Sequence, residues 1–503
     1  MSLTTDQNKL FRSDAQHRQE AIREARTAAL QNVGDPIPLP SKPLRVVVQQ
    51  YPGKEADAFV AESGFILRRV GLESGKTKQI FRGHSGPVTS LDFYTTRTSK
   101  RQLLISGSWD RSIRVWDLQT KMSVSTTIGH TDFIKTLLVI PELDALVTGS
   151  SDKDLRIWDL TTLDSFDFSG LASAATASST TSVDSQQPEP KAGGGGAAPP
   201  AAVSNNPLPL LVALKSHTRP IERLAYFPIL SKSTTGSEDA ECEKTGKIGL
   251  ISTDSMGVLK IWELEKGSTS EGQAGRSALT GAEKCSVRHH ELAIYDLVVG
   301  TESGDIWTAS ADNSILLSSF SPSAPSEPPV PTLRIPHPTQ TRSVLPLHLS
   351  YPNLPYLVTS TTSPEDLVRI FHLDNDALEP DAKREVRREW RGIAAPPTHN
   401  VLSGPTESML PGCVREVEGH SNDVVSVATY VVENEHDKKN EVWIVSASLD
   451  GTLRRWNWKE TLEQKREKLV LVEVAPPEEE EKESLLTEEE ERELEALMAD
   501  EDD

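Results

Sequence analysis

An all-β fold built by repeating one β unit is what the sequence predicts, and three observations predict it. The stretches SGSWDRSIRVWDL (106–118), TGSSDKDLRIWDL (148–160) and SASLDGTLRRWNW (446–458) lie over one another without a gap. From about residue 43 to about 475 the chain runs in short segments rich in Val, Ile and Thr, such as LRVVVQQ and KTKQIF, separated by turn residues. Trp116 and Trp158 stand 42 residues apart, the length of a unit of four short strands and their turns.

The elements follow in order. Residues 5–33, including AQHRQEAIREARTAALQ, read as a helix with a thin apolar stripe at Phe11, Ala15, Ile22, Ala25 and Ala29, and the Pro-rich GDPIPLPSKP ends it. Residues 1–42 are therefore an N-terminal helical arm and linker, and 43–475 the β domain. Insertions at about 162–206, 266–283, 321–332 and 393–413 are Ser-, Ala-, Gly- or Pro-rich or polar, and are expected to be disordered surface connections. KLVLVEVA at 468–475 is expected to supply the outer strand of the last unit. Residues 476–503 form an acidic tail in which Thr487 and Glu490 make a capping box, and Leu494, Leu497 and Met498 share one helical face as candidate docking residues.

The thirteen-residue frame fits three further windows, starting at 252, 308 and 361. Its first position is Ser or Thr in all six. Its fifth is Asp at Asp110, Asp152, Asp312 and Asp450, Glu at Glu365 and Met at Met256; its eleventh is Trp at Trp116, Trp158, Trp262 and Trp456, with Phe371 and Ser318 in the other two. Upstream stands a His: His84, His130, His217, His289 or His290, His337, and His420. The Asp belongs in a tight turn, and SIRVW or DLRIW alternates as a strand with its Trp turned inward.

With these residues the chain resembles the Trp-Asp repeat β-propeller family over about residues 43–475. The resemblance implies a seven-bladed β-propeller in which residues 45–82 form a degenerate first blade. It implies buried hydrogen-bonded tetrads: His84, Ser106, Asp110 and Trp116; His130, Thr148, Asp152 and Trp158; His420, Ser446, Asp450 and Trp456. Donors and acceptors in such a set balance. The resemblance also implies a protein-binding top face beside the tetrads. The residue before each turn Asp gives Trp109, Ser151, Ala311 and Leu449, and the residues three and five after each His give Pro87, Thr89, Phe133, Lys135, Pro220, Glu222, Asp423 and Val425. Trp109 and Phe133, with Lys135, Glu222 and Asp423, are the candidate contact residues; exposed aromatics suit an interaction hot spot.

Composition narrows the function. With 36% hydrophobic and 25% charged residues in 503, the chain is expected to fold as a globular protein. No run approaches the length of a membrane span, and the start lacks a hydrophobic signal core, so a chain neither secreted nor membrane-embedded is expected. Cys242, Cys285 and Cys413 lie far apart and no Asn-X-Ser/Thr site occurs, which fits a reducing compartment, cytoplasmic and/or nuclear. The net charge is −21, and residues 478–503 hold fifteen acidic residues against Lys482 and Arg492, leaving −8 for the rest. Such a chain repels phosphate backbones, so direct nucleic-acid binding is disfavoured and basic protein partners are favoured.

A Ser-His-Asp set suggests a hydrolase, but a nucleophile needs one exposed copy beside an oxyanion hole, not several buried ones. No phosphate loop or metal motif occurs, and the two His of RHHEL point to opposite faces of a strand. No catalytic residue, metal, cofactor, membrane or small-molecule substrate is expected. The expected role is a non-enzymatic scaffold in an intracellular multiprotein complex. Two alternatives stand beside it: an acidic escort of a basic client such as a ribosomal protein or histone, and a substrate receptor of a ubiquitin ligase. The last loses support because Trp116-Asp117 and Trp158-Asp159 are not followed by X-Arg.

Overall fold

The computed structural model describes residues 24–51, 53–168, 207–230, 244–267, 279–301, 303–373, 410, 412–433 and 440–463. The chain divides into two compact units, residues 1–32 with 465–503, and residues 33–464. Of the first unit the described residues are 24–32, helical over 24–29; the rest of the expected arm helix, and the whole tail with Leu494, Leu497 and Met498, lie outside the described residues.

The second unit is a seven-bladed β-propeller of seven four-stranded antiparallel sheets. The first sheet holds Pro43–Gln49, Asp57–Glu62, Ile66–Gly71 and Thr77–Arg82, and the second Val88–Thr95, Gln102–Ser108, Ser112–Asp117 and Ser123–Ile128. The third holds Ile134–Ile140, Ala145–Ser150, Asp154–Asp159 and Leu210–Lys215; the fourth Ile221–Leu230, Lys244–Asp254, Val258–Lys266 and Leu279–Arg288. The fifth comprises Ile294–Gly300, Asp305–Ser310, Ser314–Ser319 and Val330–Pro336, and the sixth Thr341–Pro346, Tyr356–Thr361, Val368–His372 and Cys413–Val417. Val424–Glu433, Asn440–Ser448 and Thr452–Asn457 make three strands of the seventh, and Ile37–Pro38 is its fourth.

Each second strand lies between two neighbouring sheets, so its residues are apolar or small on both faces: AFVA of Asp57–Glu62 and ALV of Ala145–Ser150 are buried throughout. Outer strands meet solvent, and Thr77–Arg82 buries Phe81 alone. Among the described residues the core is a set of seven apolar clusters, one in each gap between consecutive sheets. Phe59, Leu67 and Phe81 of the first sheet meet Val88, Leu104 and Trp116 of the second. The ring closes where Val46, Ala58 and Val70 meet Tyr430, Val445 and Leu453. Radial repetition leaves only short outer edges.

Closure corrects one expectation. Residues 468–475 lie outside the described residues, and the outer position of the last sheet is held by the N-terminal Ile37–Pro38, paired with Leu453 and Thr452. The β domain therefore begins before residue 43. Ile37 is buried with Leu453, and Leu39 N donates to Gly451 O at 2.8 Å.

All four insertions depart from expectation. Residues 321–332 are ordered: Ala324 N donates to Ser321 O and Glu327 N to Ala324 O, and Val330 already pairs with Ser319. Prolines here fix turns rather than prevent structure. Residues 162–168 form part of a 3₁₀ turn, Thr161–Leu163, followed by Phe166 and Phe168, whose rings pack on each other 4.9 Å apart. Lys266 and residues 279–283 belong to strands of the fourth sheet, and Cys413 opens a strand of the sixth.

Strand order fixes two ends. Turns between second and third strands, and links from one sheet to the next, lie at one end, called upper here. Links between first and second, and third and fourth, strands lie at the lower end. The stretches 169–206, 231–243, 268–278, 374–409 and 434–439 all join strands of the latter two kinds, so all of them leave and rejoin the sheets at the lower end.

Candidate protein-interaction face

The upper end is organised by the repeat. In the second sheet His84 Nδ1 donates to Asp110 Oδ2 (2.8 Å), Ser106 Oγ donates to His84 Nε2 (2.8 Å), and Trp116 Nε1 donates to Ser106 Oγ (2.9 Å). The third repeats it: His130 with Asp152 at 2.9 Å, His130 with Thr148 at 2.8 Å, Trp158 with Thr148 at 2.9 Å. The seventh does so with His420, Asp450, Ser446 and Trp456 at 2.9, 2.8 and 2.9 Å. Ser106, Thr148 and Ser446 are fully buried, so none is placed to attack a substrate.

Burial alone would raise the carboxyl pKa, but the hydrogen bond and charge of His84 outweigh it and hold Asp110 far below the usual range. The same balance brings Asp312 and Asp450 to about 2. Burial lowers the pKa of His84, against the opposing hydrogen bond and charge of Asp110. Each aspartate also fixes its turn: Asp110 accepts from Ser85 N and Ser112 N, both at 2.9 Å.

Two further sheets carry the set in altered form. In the fourth, His217, Ser252 and Trp262 are joined, and the carboxylate is Asp254 at 3.3 Å, two positions before Met256. In the fifth, His290 rather than His289 bonds Thr308 and Asp312, both at 2.8 Å, with Ser318 in the Trp position. The sixth departs most. Cross-strand register pairs Thr359 with Arg369 as Ser106 pairs with Arg114, so the hydroxyl position is Thr359, not Thr361; the connecting turn is two residues longer. Arg369 takes Glu365 through two bonds of 2.8 Å, and among the described residues neither ring nitrogen of His337 has a partner. The first sheet replaces hydroxyl and Trp by Val60 and Val70 and carries a buried ion pair, Arg68 to Glu62 at 2.6 Å.

On this frame Trp109 and Phe133 stack face to face, ring centroids 5.1 Å apart and planes 19° apart, although they come from different sheets. They stay 43% and 44% exposed, so packing against the neighbouring sheet and presentation to solvent are both true of Trp109. They wall a cleft of about 490 Å³ floored by Gly86. A Cβ on Gly86 would lie 2.8 Å from Asp110 N, so only glycine lets the floor come this close.

The other candidates are arranged differently. Lys135 and Glu222 bind each other across two sheets. Asp423 accepts from Ser363 N at 2.8 Å and lies 3.8 Å from Arg342. Lys135 and Glu222 belong to a ring of seven bulges, one at the upper end of every first strand, at Leu44, Thr89, Lys135, Glu222, Tyr295, Arg342 and Val425. Tyr295 and Arg342 escaped the sequence reading; the position five after His290 and His337 would have found them. One residue further on, Arg45 and Arg223 meet Asp296, at 3.3 and 3.6 Å. Burial, and then the positive charges of Arg45 and Arg342, hold Arg223 down to about 10.

Phe65 is a third exposed aromatic at this end, 45% exposed in the upper turn of the first sheet with φ of 65°. The matching left-handed position is Gly257 in the fourth sheet and Gly451 in the seventh. Among the described residues no group of three or more His, Cys, Asp or Glu is placed to hold a metal ion, and no helix is long and apolar enough to cross a membrane.

The family model described as WD domain, G-beta repeat matches residues 75–117, 121–159 and 411–457. An uncharacterised WD repeat-containing protein of Schizosaccharomyces pombe is 33% identical over 143 residues, 28% of this chain and 38% of that protein. The periodic tryptophan protein 2 homolog of the same organism is 28% identical over 91 residues, 18% of this chain and 10% of its own. The peroxisomal targeting signal 2 receptor of Mus musculus is 36% identical over 65 residues, 13% of this chain and 20% of its own. The matched stretches thus span well under half of each relative.

Proposed function

We propose that this chain, a WD-repeat β-propeller, is a non-enzymatic scaffold that holds partner proteins on its upper face within an intracellular multiprotein complex. The observation that carries this reading is the Trp109–Phe133 stack: two large aromatic rings, pinned over tetrad turns, left nearly half exposed beside an open cleft. Rigid aromatic anchors at the centre of a patch are what interfaces use for most of their binding free energy. Of the eight large hydrophobic side chains exposed among the described residues, Phe65, Trp109, Ile128, Phe133 and Leu292 lie at the upper end. The fully buried hydroxyls of the tetrads support the absence of catalysis. One relative is named as the receptor of a targeting signal, which accords with a receptor role on a short matched stretch.

The test is affinity purification from the native cell of the wild type and of the Trp109→Ala, Phe133→Ala double variant, with partners identified by mass spectrometry. Loss of a defined partner set from a variant that still melts cooperatively is expected; an unchanged set sinks the reading. A second reading, escort of a basic client, rests on the fifteen acidic residues of 478–503. A chain ending at Ala475 would then lose a basic partner, and the loss would be mimicked by salt. A fluorescent fusion seen outside cytoplasm and nucleus would count against the proposed compartment.

A further inference from the structure

We infer that the upper mouth of the central channel receives an acidic side chain, Asp or Glu, of the partner held on the upper face. This rests on the upper-face reading above and adds the chemistry of the partner. The argument is a surplus of donors. Arg45, Arg223 and Arg342 lie at or one residue past the bulges that ring the channel, on first strands of three different sheets. Each guanidinium offers five N–H groups in a rigid fork. Against them stands Asp296, which gives Oδ1 to Arg45 at 3.3 Å with Arg223 beside it at 3.6 Å, and commits Oδ2 to Ser343 Oγ and Val344 N at 2.9 and 3.1 Å.

The other carboxylates here are also committed. Glu222 serves Lys135, and Asp423 holds Ser363 N with Arg342 only at 3.8 Å. Asp92, near Arg45, uses its two oxygens on Phe93 N and Val139 N, both at 2.8 Å, and burial raises its pKa. Among the described residues Arg223 has one side-chain hydrogen bond, to Glu222 O at 3.0 Å, and the Nε atoms of Arg223 and Arg342 have none. Arg342 lies over the Tyr295 ring at 4.1 Å, which holds the fork without using its N–H groups. The Nε atoms of Arg223 and Arg342 are buried, while the side chains of Arg45, Arg223 and Arg342 as wholes keep 30%, 21% and 32% exposure. Arginine forks suit a carboxylate through paired charge-assisted bonds.

The probes are a labelled alternating tyrosine–glutamate decapeptide and its tyrosine–glutamine counterpart, titrated against the full chain by fluorescence anisotropy at low and moderate salt. The glutamate peptide is expected to bind at least about tenfold more tightly. Arg342→Gln, which breaks only a 3.8 Å pair and a ring contact, should erase most of that difference, and Arg223→Lys should reduce it because a lysine cannot offer a fork. Lys153→Gln, an exposed charge in an upper turn away from the channel, should leave it unchanged. Equal binding of the two peptides, no binding of either, or an acid preference untouched by Arg342→Gln overturns the inference. If both peptides bind equally and Trp109→Ala, Phe133→Ala abolishes binding, the upper-face reading stands and this one falls. If the acid preference survives the aromatic double variant and is lost in Arg342→Gln, the inference stands and the aromatic anchor falls.

Discussion

In the sixth sheet the histidine of the repeat is kept while its carboxylate is turned to another partner, and the consequence is a pH dependence. Burial, aided by the charge of Arg369, brings His337 down to about 3, whereas an exposed histidine titrates near 6.5. The folded state then refuses a proton that the unfolded chain accepts. Stability from this residue is complete above pH 6.5 and declines by up to about 1.4 kcal/mol per pH unit as the pH falls toward 3. His337→Phe should flatten that slope in denaturant titrations between pH 7 and 5, and a slope unchanged in the variant would refute the assignment. Asp312 and Asp450 act in a separate window: with pKa values of about 2 they stabilise above pH 4, and their contribution is lost as the pH falls to 2. Ser446→Ala should cost about 2–3 kcal/mol by chemical denaturation, because it strips partners from both Trp456 Nε1 and His420 Nε2 in a buried site. Phe65→Asn should be neutral or stabilise by up to about 1 kcal/mol, since Asn accepts φ of 65° better than Phe, while weakening partner capture. Loss of stability instead would make Phe65 a structural residue. Three tetrads were legible as sequence because their hydroxyl, Asp and Trp keep fixed spacing, with a His upstream at separations of 22, 18 and 26 residues. Asp254 and Thr359 were not, because a carboxylate two residues early, or a turn two residues longer, preserves the spatial position while breaking the frame.

At the scale of elements, the closing strand was the least legible. Ile37–Pro38 is two residues long and sits inside a Pro-rich stretch that reads as a linker; its place is set by Leu453 and Thr452, some 415 residues away in sequence, and by no local pattern. The neighbouring chain explains its precision. Gly34, with φ of 70°, lies so close to the Trp456 ring that a Cβ would collide with it, and Arg454 and Arg455 bind the carbonyls of Val33 and Asp35. A chain beginning at residue 43 should therefore melt at lower temperature than one beginning at residue 33, and amides of Thr452–Asn457 should exchange faster. Equal melting temperatures would show that the seventh sheet does not depend on its fourth strand. The insertion at 321–332 was misread for the opposite reason: low-complexity composition hid two turns and the start of a strand whose order comes from pairing with Ser314–Ser319.

At the scale of the molecule, seven sheets, seven apolar gaps and seven bulges describe one closed cycle; the repeated frame marks six of the sheets in sequence, three of them with a complete tetrad. The ring nonetheless treats its two ends unequally. Lower connections absorb long stretches of chain, as between Phe168 and Leu208, while every upper connection is six residues or shorter. Length can thus be added at one pole without being felt at the other. For anyone building with this protein, the lower pole is the place to splice a reporter, a tether or a second binding module, and the molecule can be moored there with its upper end facing outward.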